Sequence, residues 1–595
     1  MLDLTDKTNA ALAVVGLLVV LYGCYLRALP KPLKGIPYNE AATKSLFGDI
    51  PSLLKEMKTR GDFYLWLLEQ NRNAKSVINQ LFLSPFGGPV VLLADARESR
   101  DIQLNRTKEF DRSSMIREIF IPLTGETQFT HRTGPKWKLH RRLTQDTMTP
   151  NFLREVAAPS IYASCLRFVD LWNAKAQLAD GRPFSAEMDL FYVALDAVLA
   201  FTFGSDFPHN ATRSQVEGMQ KLPAGYVKGL SLGPNDAVKF PKFDVGDDIS
   251  SVLGLVKTME SIVGTAAPRV SWLLAKLSPS WRRMDKTKNE LLRQEITKAV
   301  AKIAQQTESK GEPSAHNGVD LMVNKEAKLA QRENRRPDFF SEMMMSELYG
   351  LLVAGHDTTS STMCWTMKYL SKYRDCQTRL RQHLHSAFAA AVSEDRQPSA
   401  KEITGATIPY LDAMIEEIFR FGSVVPMNSR EAMEDIELLG HHIPKGTVVM
   451  YLNNGPSFTM PSYEVDENKR SPQSKQDEKD ARYKSWNEND ITEFKPERWL
   501  FEKSPDQEGK GGGLAFDSNA GPVNAFGLGP RACFGRRLAY IEFRLLLTML
   551  IWNFELLECP EELQDPSGVV GVIYKPRTCY VRLRKVDHAM VSASA

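Results

Sequence analysis

Phe526-Gly527-Leu528-Gly529-Pro530-Arg531-Ala532-Cys533-Phe534-Gly535 sets one cysteine in a glycine-bounded turn immediately ahead of a long helical pattern. Glycines on both sides let the backbone approach a flat cofactor closely. A helix beginning just after the cysteine aims unpaired amide donors and its positive dipole end at the sulfur, which favours thiolate over thiol. Together these features read as a thiolate ligand for haem iron. An axial thiolate pushes electron density towards cleavage of an O–O bond, so the chemistry implied is activation of dioxygen. A buried structural cysteine in a tight turn is the other reading of the same stretch.

A helical pattern over 340–373 is interrupted by Ala354-Gly355-His356-Asp357-Thr358-Thr359. Gly355 lowers helix propensity, and threonine hydroxyls can bond back to the preceding turn, loosening the helix and leaving room for ligand and water. If this helix crosses the cofactor opposite Cys533, Thr358 can donate a hydrogen bond to dioxygen held there and Asp357 can connect it to a proton supply. A helix with a packing glycine and a surface Asp-Thr pair is the plainer alternative. His356 has no second ligand at helical spacing and is expected to be structural or solvent-linked, not a metal ligand.

Two further charged sets surround these motifs. Glu417 and Arg420 stand at i and i+3 on an otherwise apolar helical stretch, 410–421, and Arg498 follows in Pro496-Glu497-Arg498-Trp499. Apolar context argues for burial, so a carboxylate shared between Arg420 and Arg498 is expected to lock the loop that presents Cys533. Trp137 and Arg141, one helical turn apart, can reach the same anion. Haem carries two propionates, and Trp137, Arg141, Arg430 and Arg531 are the candidate partners, each also readable as ordinary surface.

The 595 residues carry 75 basic and 72 acidic side chains, net charge +3, which gives no global drive towards nucleic acid. Seven scattered cysteines form no CxxC or CxxCH, against a disulfide framework, a zinc cluster or covalently attached haem. The motifs spread from Trp137 to Cys533 without a convincing linker, so one catalytic domain over 38–595 is expected. Strand-like runs are short, chiefly 89–93, 447–452 and 579–583. The polar stretches 308–314 and 464–490 read as surface loops or insertions, and 509–513 as a flexible glycine-rich loop.

Ahead of that domain, 10–26 is an uncharged apolar run near the lower limit for spanning a bilayer. Arg27, Lys31 and Lys34 follow it, so the expectation is a transmembrane anchor, with 1–9 on the luminal side and the catalytic domain cytosolic. A cleaved signal peptide is the alternative. Pro30, Pro32, Gly35 and Pro37 make 27–37 a stiff hinge.

The combination resembles the cytochrome P450 family. Phe526, Gly529, Arg531, Cys533 and Gly535 match its haem-binding signature. Ala354-Gly355-x-Asp357-Thr358 matches its oxygen-activating helix, Glu417 and Arg420 its ExxR pair, Pro496 to Arg498 its partner loop, and Trp137 with Arg141 its WxxxR helix. The resemblance implies a mainly α fold with small β-sheets, with haem b held between the long central helix and the cysteine loop. It implies Cys533 as the axial ligand of the iron, Thr358 and Asp357 steering protons, and arginines on the propionates. Electrons are expected from NADPH through a flavoprotein reductase, or from cytochrome b5, with Lys138, Arg142, Arg536 and Arg537 as the docking patch. The expected activity is monooxygenation of a small lipophilic substrate at the endoplasmic reticulum membrane. Fungal microsomal members, often active in secondary metabolism, are the most similar. Its pocket is expected from 113–130, 350–354 and 424–428, with Met115, Ile116, Ile119, Phe120, Phe129, Val424 and Met427. Departures lie in the polar segment 456–492, longer than usual, and in weakly matched residues before Trp137. A haem-thiolate isomerase or dehydratase and a non-catalytic haem-binding protein are the rival readings.

Overall fold

The computed structural model describes residues 2–263, 265, 268–308, 315–504 and 512–588. Its axis is one unbroken helix, Glu342–Lys372, of 31 residues, about 46 Å at the standard rise. The Met344 amide donates to the hydroxyl of Ser341 at its start, 3.3 Å, and Glu342 and Lys372 place opposite charges at the ends that the helix dipole favours. Almost all of its middle is buried. This long helix packs most intimately on helix Glu187–Phe203.

Gly355 explains how the two helices come so close. A Cβ built on it would lie 2.5 Å from Val198 Cγ2. The glycine therefore serves helix packing, where the sequence suggested room for a ligand.

The largest sheet has five strands in the order Ile78–Leu81, Val90–Leu93, Val448–Leu452, Met427–Ala432, Phe110–Arg112. The pairing of Val90–Leu93 with Val448–Leu452 is parallel, and the other pairings are antiparallel. Strands Val90–Leu93 and Val448–Leu452 are buried almost throughout, which their near-continuous Val, Leu, Met and Tyr content requires. A smaller three-stranded sheet has the order Phe554–Leu557, Tyr580–Lys585, Phe184–Ser185. The largest core cluster gathers Trp172, Leu411, Phe419, Phe543 and Trp552. It joins helix Pro409–Phe421, where proline pre-sets the first turn, to helix Arg536–Asn553.

Two expectations change. The polar stretch 464–490 is not loop throughout: it holds a short 3-10 turn, Glu467–Lys469, and a helix, Pro472–Lys479, docked on helix Ala96–Leu104. Its stabilising partners are ionic and lie elsewhere in the chain, so apolar periodicity could not reveal it. The expected membrane span 10–26 lies inside helix Leu2–Ala28, but among the described residues no helix is long and apolar enough to cross a membrane. Side chains 2–8, 10 and 11 fall outside the description, and 12–26 alone is short of the roughly 20 apolar residues a span needs. Leu12, Val14, Leu17, Val20 and Leu21 are exposed along it. The segment 309–314 and residues 509–511 of the glycine-rich loop lie outside the described residues.

Candidate functional site

Cys533 sits at the end of a loop that closes on itself. Its amide donates to the Phe526 carbonyl at 2.7 Å, and the Ala532 amide to Gly529 at 3.1 Å. Gly527 and Gly529 adopt φ of +65° and +69°, left-handed values that other residues reach only with strain. At Gly529 a side chain is also excluded sterically, because a Cβ would lie 2.2 Å from the Gln103 carbonyl oxygen. Gln103 Oε1 in turn accepts from the Leu528 amide at 2.9 Å. Helix Arg536–Asn553 begins directly beyond the loop, with Gly535 as its N-cap.

Burial pushes the Cys533 thiol above its ordinary value, against the amides of Gly535 and Arg536 and the charges of Arg141 and Arg536, which pull it down. The helix start does favour the thiolate, but desolvation outweighs it for a free thiol. A cysteine of this kind is deprotonated outright when it coordinates a metal.

Beneath the loop, Glu417 organises a buried charge network. Arg420 donates to both of its carboxylate oxygens, at 2.8 and 2.9 Å. Arg498 Nε adds 3.1 Å, Trp499 Nε1 2.9 Å and the Lys495 amide 2.7 Å. Arg420 also donates to the carbonyls of Phe458, Ile491 and Glu493. Phe419, on the same helix, packs its ring on Phe526 with centroids 5.0 Å apart, so the network supports the cysteine loop from below.

Four arginines gather on another side. Arg430 and Arg112 face each other in register across two strands and are both buried. Arg531 donates to the carbonyls of His131 and Gln128 but leaves Nε and Nη1 without partners. Arg112 Nε is likewise unpartnered. Burial and the neighbouring Arg430 and Arg531 hold Arg112 well below the usual arginine range, and burial with Arg430 and Arg141 lowers Arg531 to about 10, against the pull of Asp111. Asp111 is itself taken by the amide and hydroxyl of Thr133. Arg141 stacks on Phe534 at 4.4 Å and Arg531 on Trp137 at 5.0 Å. Buried cations with unsatisfied donors and no free carboxylate among them call for an anion. Two propionates fit that demand, and the adjacent Cys533, whose side chain is exposed, fits an iron thiolate.

On the long helix, Thr358 Oγ1 donates back to Ala354 O at 2.9 Å. Thr359 donates to Glu542 Oε2, 3.2 Å, on the helix that follows Cys533. The two halves of the site therefore meet through that contact. Asp357 is buried, which raises its carboxyl, while Lys575 lowers it. Lys575 also lies 3.9 Å from both Glu187 and Glu260. His356 is buried, bonded to Leu352 O and edge-on to Phe191.

A family model described as Cytochrome P450 matches residues 72–454 and 486–581. The chain belongs to the cytochrome P450 family. It is 40% identical over 580 residues to the cytochrome P450 monooxygenase TRI13 of Fusarium sporotrichioides, covering 96% of this chain and 98% of that one. The cytochrome P450 monooxygenase xilC of Penicillium rubens is 36% identical over 573 residues, covering 96% and 95%. Among solved structures, the haem domain of cytochrome P450DA matches with a TM-score of 0.64 at 16% identity, over 94% of this chain and 99% of that chain. This cytochrome P450 is thus a monooxygenase, an oxidoreductase that works with haem.

Sequence reasoning missed Arg112, which no motif marks; only strand register places it beside Arg430. It also missed a buried chain beside Arg141. Glu347 on the long helix contacts His140 Nδ1 at 2.7 Å, and His140 Nε2 shares a hydrogen bond with His131 Nε2 at 3.1 Å. Gln128 bonds Glu347 through its amide nitrogens, and its Oε1 accepts from Arg141 at 3.0 Å.

Proposed function

We propose that this cytochrome P450 holds haem b through Cys533 and uses electrons from NADPH, delivered by a flavoprotein reductase, to oxidise a lipophilic small molecule in secondary metabolism. The observation that carries this reading is the convergence of Arg112, Arg141, Arg430 and Arg531 beside a glycine-bounded cysteine. When bound, the thiolate-ligated haem supplies the reductive activation of dioxygen. Cys533 would hold the iron, Phe526 and Phe534 would flank it, and Arg430, Arg531 and Arg112, with Trp137 and Arg141, would take the propionates.

Thr358 presents its hydroxyl from the long helix, and its bond to Ala354 keeps that oxygen oriented. Asp357 shuttles protons towards it from the group formed by Lys575, Glu187 and Glu260, which suits a carboxyl whose affinity for protons is raised. Glu417, Arg420 and Arg498 keep the loop in place. Exposed Lys138, Arg142, Arg536 and Arg537 form the cationic face that draws an acidic reductase. Phe120 and Phe129, 4.9 Å apart and edge-on, belong to the apolar substrate wall with Ile116, Ile119, Val424 and Met427. The exposed apolar side chains of 12–26 support attachment to a membrane, with the domain 38–595 on the cytosolic face.

Dithionite-reduced protein exposed to carbon monoxide is expected to show the red-shifted Soret band of a thiolate ligand, and Cys533→Ser to lose it. A retained band in that variant overturns the assignment. Thr358→Ala is expected to keep the band but divert NADPH-driven oxygen uptake into hydrogen peroxide. Fully coupled turnover would remove the threonine from proton delivery.

A further inference from the structure

The residues between the two stretches matched by the family model, 455–485, are not idle surface. Arg470 is 8% exposed and spans two carboxylates of helix Ala96–Leu104 and its cap. It reaches Asp95 Oδ1 and Oδ2 and Glu98 Oε1, each at 3.0 Å, and Glu467 at 2.9 Å. Asp95 is the N-cap of that helix, accepting from the Glu98 amide at 2.7 Å. Further along, Arg97 donates to the Ser474 carbonyl, Ser471 to Asp101 at 2.8 Å, and Asn105 to Asp477 at 3.3 Å. The polar segment thus grips one face of the helix from its cap to just past its end.

The far end of the same helix holds the cysteine loop. Gln103 bonds the Leu528 amide, and its carbonyl presses against Gly529 with no space for a Cβ. We propose that Arg470 is a positioning residue: through helix Ala96–Leu104 and Gln103 it fixes the loop so that Cys533 stays in place as an iron ligand. This rests on the haem-thiolate reading above. Three carboxylates converge on one guanidinium, so removing it leaves like charges, two of them buried, facing one another. The displacement falls on a helix that also packs on the loop and on strand Val448–Leu452.

The test uses the full-length haem-loaded protein and the carbon monoxide band, which reports thiolate ligation rather than turnover. In urea below the unfolding midpoint, Arg470→Met is expected to pass to the shorter-wavelength, thiolate-lost band about tenfold faster than the parent. That is a fraction of what breaking a buried ion pair costs. Lys175→Met breaks the buried pair with Asp189 at 2.7 Å, away from this path. Compared at equal distance from its own midpoint, it is expected to hold the band as the parent does. Gln103→Ala is expected to mimic Arg470→Met, and the double variant to be no faster than either single, since both cut one path. If Arg470→Met does not fold, Arg470→Lys, which keeps the charge and loses the fork, is expected to show a smaller change in the same direction. A parental rate in the Arg470 variant, an equal change in Lys175→Met, or full additivity with Gln103→Ala each overturns the proposal. Retention of the band in Cys533→Ser overturns instead the reading beneath it.

Discussion

Glu542 carries the clearest acid–base consequence of any single residue. It is buried, Thr359 is its hydrogen-bond donor, and Oε1 has no partner among the described residues. Burial raises its carboxyl to about 8, whereas in the unfolded chain it titrates near the ordinary value, about 4.3. Between those values the folded protein keeps a proton that the unfolded chain has released. Stability therefore falls as pH rises through that window, by up to about 1.4 kcal/mol per pH unit. Urea unfolding across this range is expected to show the decline, and Glu542→Gln to flatten it. Glu417 is a buried carboxylate shared between two guanidinium groups. Glu417→Gln leaves Arg420 and Arg498 facing a neutral amide in a buried site, and thermal unfolding is expected to register a loss of about 3–5 kcal/mol.

At the scale of elements, the fit between the two central helices depends on an absent methyl group. Gly355→Ala drives a Cβ into Val198 and is expected to cost about 1–3 kcal/mol of stability in chemical denaturation. Val198→Ala introduced alongside it is expected to recover part of that loss, whereas Val198→Ala alone destabilises by opening a cavity. The long helix itself was legible because it signals its own limits. Ser341 caps it, apolar side chains recur along it, and the expected span 340–373 differs from Glu342–Lys372 by a residue or two. Helix Pro472–Lys479 was illegible for the converse reason. Its sequence is polar on every side, so only the Ser471 cap and Pro472 mark its start, and the carboxylates that dock it, Glu98 and Asp101, belong to a segment hundreds of residues earlier.

For the whole molecule, the candidate site was legible where one motif holds its members together in sequence and illegible where the fold assembles them. Cys533, Thr358 and the Glu417–Arg420 pair announce themselves by spacing. Arg112 does not, since its place beside Arg430 exists only once two distant strands pair. The four gathered arginines also make a prediction about the protein as a unit. Arg112→Met is expected to raise the thermal midpoint of the haem-free protein by relieving repulsion. It is expected to shrink the further rise on haem loading, because one propionate partner is gone.

The five-stranded sheet also sets a timetable for manufacture. Ser113 and Ser429 hydroxyls meet across 316 residues, and Arg531 reaches the His131 carbonyl across 400. Ribosomes deliver about 5–20 residues per second, so Arg112 waits on the order of a minute or less for Arg430, and longer for the loop bearing Cys533. Until then Val90–Leu93 has only Ile78–Leu81 beside it and Phe110–Arg112 has no neighbouring strand, so the arginines are not yet gathered. On the reading proposed above, cofactor capture is an event of the nearly finished chain, because a chain that stops before Cys533 lacks the iron ligand.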